Sequence, residues 1–303
     1  YLEDRPLTHP DVQAAQAALM ESTVVQTILG AQESEGHWGK RNHSYIKKYT
    51  ATTHQLLILA ELGAKLTPAI ERGINHMFEF QLDSGHFTTK LPKTARGRAS
   101  QASDMVCFDA NILYYMIYFG YLDDSRVIQL VDFLLNHHSS TDGGWKCRAY
   151  PINPDTVFPE NCFMGMCKAL RAFSLIPKAQ RTSQMSDVIR KVTEIILENK
   201  VYQYLRAPNG MRKPKIGWTR FGFPLFYNSD ALEVLETLAR LNVHDERMQD
   251  AINLVISKQQ SDGKWLLKHT FNGRMWHDIE VKHQSSKWIT LRALRVLRHY
   301  YSK

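Results

Sequence analysis

Apolar residues recur at helical spacing in a series of segments separated by polar connections. A helical stretch opens at His9-Pro10-Asp11-Val12 and runs to about Ala31, with a break near Ser22-Thr23. The segment TATTHQLLILAELG, 50–63, carries an apolar stripe stopped by glycine, and Thr67-Pro68 supplies a cap and a first-turn proline for a helix to about Gln81. Further helices are expected over 107–120, 124–138, 162–174, 183–199, 230–242, 245–259 and 285–301. Little of the chain reads as strand, so the pattern predicts an all-α protein.

The helices fall into two sets. Segments such as CFDANILYYMIYFGY and NCFMGMCKALRAF are apolar nearly all round, as buried helices are, whereas 67–81 and 245–259 show a charged face. The connections alternate as well. Ala64-Lys65 and Tyr121-Leu122 are tight, but 33–49, 82–104, 139–158, 200–227 and 260–283 are long. Helices that alternate up and down put every long connection at the same end, which predicts one barrel of inner and outer helices spanning 1–303.

Each long connection begins on a repeated motif. Gln32-Glu-Ser-Glu-Gly36-His-Trp38, Gln81-Leu-Asp-Ser-Gly85-His-Phe87 and Gln259-Gln-Ser-Asp-Gly263-Lys-Trp265 share Gln-x3-Gly-x-aromatic, and His138 to Trp145 is a looser copy. The aromatics at 38, 87, 145 and 265 are separated by 49, 58 and 120 residues. The last step is a double one, so a degenerate copy is expected near Glu198–Tyr204, giving about five units.

These motifs and the inner/outer alternation resemble the squalene-hopene and oxidosqualene cyclases and the β subunits of protein prenyltransferases, over residues 11–301. The resemblance implies an α/α toroid whose inner helices line a deep apolar cavity. It implies a structural role for Gln32/Trp38, Gln81/Phe87, His138/Trp145 and Gln259/Trp265. The function it implies is that of an isoprenoid-handling, terpene-cyclase-like enzyme. The alternatives are a binding protein for an isoprenoid, lipid or peptide, and a zinc-dependent prenyltransferase subunit. Fold does not fix chemistry.

The clustered carboxyls of the cyclase Asp-x-Asp-Asp motif, in which a neighbouring charge keeps one acid protonated, have no counterpart in this sequence. Asp109, Glu160 and Asp230, each at the start of an inner helix, are the candidate acids. Glu160-Asn-Cys162 resembles the zinc-binding Asp-x-Cys of the prenyltransferases, but Ser286 stands where the histidine would, so neither metal nor other cofactor is expected. Aligned on their leucines, the inner helices bring Ala51, Phe108, Cys162, Asp230 and Ser286 into one column. His54 lies one turn in. Phe108, Tyr115 and Phe163, with Trp218, Phe221 and Tyr227 of an aromatic loop, are candidate substrate contacts, since aromatic faces stabilise carbocations.

Charge sharpens this picture. The five long connections hold 20 Lys/Arg against 9 Asp/Glu, a net of +11, although the whole chain is only +8. One basic rim over an apolar cavity suits an amphiphile with an anionic head, for which Arg212, Lys213 and Lys215 are candidate contacts. The aromatics follow helical core stripes, unlike a stacking platform for nucleic acid. Peripheral contact with a membrane surface remains compatible with the basic rim. Four cysteines without a C-x-x-C pair suit a reducing cytoplasm.

Overall fold

The computed structural model describes residues 5–6, 8–99, 105–139, 143–145, 162–203, 205–206 and 212–301. The chain is an all-α toroid. Its outer helices are α2 (Thr23–Gly30), α4 (Pro68–Phe78), α7 (Ser125–Asn136), α9 (Ser183–Glu198) and α11 (Gln249–Ser257). The inner helices are α3 (Thr52–Leu62), α6 (Val106–Tyr118), α8 (Phe163–Phe173), α10 (Ala231–Arg240) and α12 (Lys287–Tyr301). α1 (Pro10–Met20) precedes them, and α5 (Ala95–Arg98) is a single turn that helical periodicity does not register. Two antiparallel pairs of two-residue strands, β1 (Leu205–Arg206) with β2 (Arg212–Lys213) and β3 (Trp265–Leu266) with β4 (Ser285–Ser286), stiffen two of the loops.

The repeated motif closes the outer helices that carry it, and at α2 and α4 its glutamine also fastens the helix to the next one. The Gln32 Nε2 group donates to Gly36 O and to Ala69 O, each at 2.8 Å. Gln81 does the same with Gly85 O at 2.8 Å and Arg126 O at 2.7 Å. Ala69 and Arg126 lie in the first turns of α4 and α7, so each glutamine bridges successive outer helices. The indoles of Trp38, Trp145 and Trp265 are buried and donate back to Ile28 O (2.6 Å), Leu134 O (2.8 Å) and Val255 O (2.7 Å).

The glycine is required twice over. Gly85 has φ +96, and a Cβ there would lie 2.4 Å from Gln129 O of the neighbouring α7. At the degenerate fourth unit, α9 ends at Glu198 and the chain turns through Lys200 and Val201, at φ 47 and 72, without glycine.

One hydrophobic cluster runs through the described residues from Val25 to Val296. The toroid axis is polar at depth, where the sequence leads one to expect only apolar residues. Lys168 Nζ lies 2.7 Å from Glu233 Oε1, and Arg171 reaches both Glu61 (2.7 Å) and Glu233 (3.3 Å). Arg292 joins Glu61 at 3.8 Å and Glu236 at 3.5 Å. The Arg171 guanidinium also lies 3.8 Å from the Tyr114 ring centroid, so all five inner helices meet in one buried network. Each charge taken alone reads as a solvated position. Pairing across the ring is what allows their burial.

Candidate mouth of the toroid

Four of the long connections meet at one end. His43 bridges to Lys90, Gly222 bridges to His269, and the Trp276 indole donates to Thr50 O at 3.0 Å. The fifth, 139–158, lies almost wholly outside the described residues. Between the first and last of these loops is a cavity of about 560 Å³ lined by Gly39, Lys40, Lys47, Lys48, Thr50, Gly273, Arg274, Met275 and Trp276. Four of those residues are cationic and none is acidic.

Two of the cations rest on aromatic rings that continue inward. Lys48 Nζ is 5.6 Å from the Tyr45 centroid and 5.3 Å from that of Tyr227, while the Arg274 guanidinium is 4.7 Å from that of Tyr49. Tyr49 stacks on Phe271 at 4.2 Å, and Phe226 lies 5.1 Å from Tyr49. Burial, with the Tyr227 hydroxyl beside it, pushes the Tyr49 phenol up to about 12. The arrangement is a basic pocket over an aromatic layer. It can hold an anion and cover an apolar chain, and the nine lining residues include no carboxyl for proton transfer.

The sequence-predicted residues distribute around this mouth as follows. His54 is 2% exposed, ringed by Tyr45 (4.8 Å), Tyr49 (5.7 Å) and Phe226 (5.1 Å). Burial, then the charge of Lys48, lowers it to about 3, so the imidazole is neutral. Phe108 meets Tyr45 edge-on at 5.6 Å, and Tyr227 joins through Lys48, so these residues form one cluster. Tyr115 is buried on α6, and burial raises its phenol. Phe163 and Trp218 meet each other at 5.4 Å in a second group, and Phe221 lies under Lys258 at 5.7 Å. Lys213 and Lys215 are exposed, near Trp218 in the chain and not among the cavity's lining residues; the Arg212 side chain lies outside the described set.

The candidate acids occupy backbone-binding positions. Asp109 is buried and accepts the Phe87 N–H at 2.9 Å. Asp230 caps α10 and accepts from Glu233 N at 2.8 Å and Gly222 N at 2.9 Å. Burial, reinforced by Glu233, pushes the Asp230 carboxyl up to about 7. Glu160 lies outside the described residues. Cys162 caps α8, its Sγ accepting from Gly165 N at 3.3 Å. Among the described residues no three His, Cys, Asp or Glu side chains come together to hold a metal.

The sequence column of inner-helix starts corresponds to caps at four of five positions. Ala51, Cys162 and Asp230 cap α3, α8 and α10, and the Ser286 hydroxyl accepts from Ile289 N at 3.0 Å in α12. α6 begins three residues earlier, capped by Met105 rather than Phe108, which is nearly one full turn and leaves the faces in register. Sequence reasoning missed Lys48, Arg274, Tyr45, Tyr49 and Phe271 as contacts. Lys47-Lys48 signals local charge, but its partner Arg274 lies more than two hundred residues away.

With this geometry in view, comparison with solved structures identifies the architecture. Cellobiose 2-epimerase from Bacillus thermoamylovorans is 11% identical, with a TM-score of 0.51, covering 95% of this chain and 86% of its own. The similarity is one of fold. A protein from Actinoplanes is 15% identical over 98% of this chain and 86% of its own, at a TM-score of 0.48. The type II terpene cyclase MstE from Scytonema, in complex with geranylgeranyl dihydroxybenzoate, is 12% identical over 94% of this chain and 97% of its own, at a TM-score of 0.35. No protein-family profile and no curated protein matches the chain. Among the described residues no helix is long and apolar enough to cross a membrane.

Proposed function

We propose that the chain is an isoprenoid-handling toroid that receives an amphiphile at this mouth. The anionic head would lie among Lys40, Lys47, Lys48 and Arg274, and the hydrocarbon chain would lie on the aromatic layer of Tyr45, Tyr49 and Phe226. The observation that carries this reading is the cavity of about 560 Å³ whose charged lining is entirely cationic, set directly over stacked rings. The buried ion network at depth supports a chain that folds back in the upper part of the toroid rather than one that threads it.

A second reading, binding without turnover, is supported by one observation. Asp109 and Asp230 both hold backbone N–H groups, a structural use of the two carboxyls that would otherwise be the first choices to protonate an alkene. Product analysis after incubation with geranylgeranyl diphosphate separates the readings, since cyclisation leaves a ring-containing product and binding returns the probe.

The class of ligand is tested by a thermal-shift comparison of geranylgeranyl diphosphate, geranylgeraniol and cellobiose at equal concentration. A ligand that binds only the folded state stabilises it by RT ln(1 + L/Kd), with L the free ligand concentration, so at equal concentration the tighter ligand gives the larger shift. The diphosphate is expected to raise Tm most and cellobiose not at all. A shift from cellobiose alone would contradict the isoprenoid reading.

A further inference from the structure

His54 is buried, and neither of its ring nitrogens has a hydrogen-bond partner among the described residues. Its polar neighbours on the inner helices do have fold-bearing partners. Thr52 accepts the Trp38 N–H at 3.0 Å, Gln55 donates to Tyr49 O at 2.8 Å, and Asn111 donates to Phe226 O at 3.1 Å. The turn to which His54 belongs is therefore fastened without it. An unpartnered buried imidazole weakens a fold, because burial removes its water and returns nothing.

Its surroundings explain its presence better. The rings around it are those that carry the mouth cations, and Lys48 is the charged group that bears on it. Lys48 Nζ and the His54 ring both lie against the Tyr45 ring, 5.6 and 4.8 Å from its centroid, so an anion held at Lys48 is one aromatic ring away from His54.

We propose that His54 is the inner contact for the ligand's head group, reached when the Tyr45 or Tyr49 ring swings aside. A neutral imidazole donates one N–H to a head-group oxygen and adds no charge. Lys48 and Arg274 supply the attraction, and His54 fixes how far the head group descends. This rests on the mouth reading proposed above.

The test uses the full chain with geranylgeranyl diphosphate as the probe. His54→Leu is expected to weaken binding by about tenfold or more, the scale of a hydrogen bond to a charged group. His54→Gln, which keeps a donor, is expected to recover part of that loss. The urea midpoint of His54→Leu is expected to equal or exceed that of the wild type, the reverse of what a structural histidine gives. In the wild type, saturating probe is expected to shift the His54 imidazole 15N resonances. Unchanged 15N resonances at saturation overturn the inference even if the Leu variant fails to fold. Full affinity in His54→Leu, alongside weakened binding in a Lys48→Ala/Arg274→Ala variant, overturns it while leaving the mouth reading intact. Equal affinity of that double variant and the wild type overturns the mouth reading itself.

Discussion

The Phe87 backbone N–H donates to the Asp109 carboxylate at 2.9 Å, the same task that the Thr52 hydroxyl performs for Trp38 at 3.0 Å and the Thr290 hydroxyl for Trp265 at 3.1 Å. At three units, a side-chain oxygen near the start of the inner helix pins the aromatic turn that leads into it. Asp109→Ala is therefore expected to destabilise the protein by about 1–3 kcal/mol, the penalty for a buried donor left unpaired. Urea unfolding measures this. A variant as stable as the wild type but unable to process ligand would instead mark Asp109 as a catalytic acid.

The tryptophan of the last unit carries a larger share. Its ring is fully buried and its indole N–H closes the end of α11 onto Val255 O. Trp265→Ala is expected to cost about 3–5 kcal/mol, as removal of a buried aromatic does. A loss below about 1 kcal/mol, ordinary for an undistinguished position, would remove it as an anchor of the repeat.

The axial network should behave as a pair problem. Lys168→Met removes the cation nearest Glu233, leaving Arg171 at 3.3 Å and the more distant Arg292, and is expected to cost about 3 kcal/mol. Lys168→Met with Glu233→Leu is expected to cost less than the single change, because no charge is then buried without its partner. A double variant less stable than the wild type by the sum of the two single effects would show that the two residues act independently.

How far this was legible in the sequence follows from range. The helices, their inner and outer sorting and the glutamine turns are written in local spacing, so Gln32, Gly36 and Trp38 announce themselves together. The fourth unit could be placed only by counting, since Lys200 and Val201 turn the chain without the glycine. The mouth was legible as charge but not as contacts. Lys48 and Arg274 come from opposite ends of the chain, and of the three cations chosen for their density Lys213 and Lys215 are not among the cavity's lining residues, while the Arg212 side chain lies outside the described set. The axial network was invisible for the same reason: Glu61 and Arg171 are more than a hundred residues apart, and each looks like a solvated helix position.

Acid should unmask His54. Its folded value of about 3 lies below the ordinary 6.5, so between these limits the unfolded chain binds a proton that the folded chain does not. Stability from this group is complete above about pH 6.5 and is lost as pH falls toward 3, at up to about 1.4 kcal/mol per pH unit. The stability of His54→Leu relative to wild type is therefore expected to increase as pH falls from 6.5, measured by urea unfolding at each pH. A difference independent of pH would mean that the histidine titrates in the folded state as it does in the unfolded one.

The central claim is that the mouth holds an anionic head group over an aromatic layer. It is tested most directly by the affinity of geranylgeranyl diphosphate against geranylgeraniol as salt is raised, in the wild type and in Lys47→Ala/Lys48→Ala/Arg274→Ala. Screening shortens from about 30 Å to about 3 Å between 0.01 M and 1 M ionic strength. Diphosphate affinity is expected to fall with salt and with the triple change, more than with the same change at Arg212, Lys213 and Lys215, while the alcohol is little affected. Equal affinity for diphosphate and alcohol at low salt, unmoved by the triple change, would contradict the account.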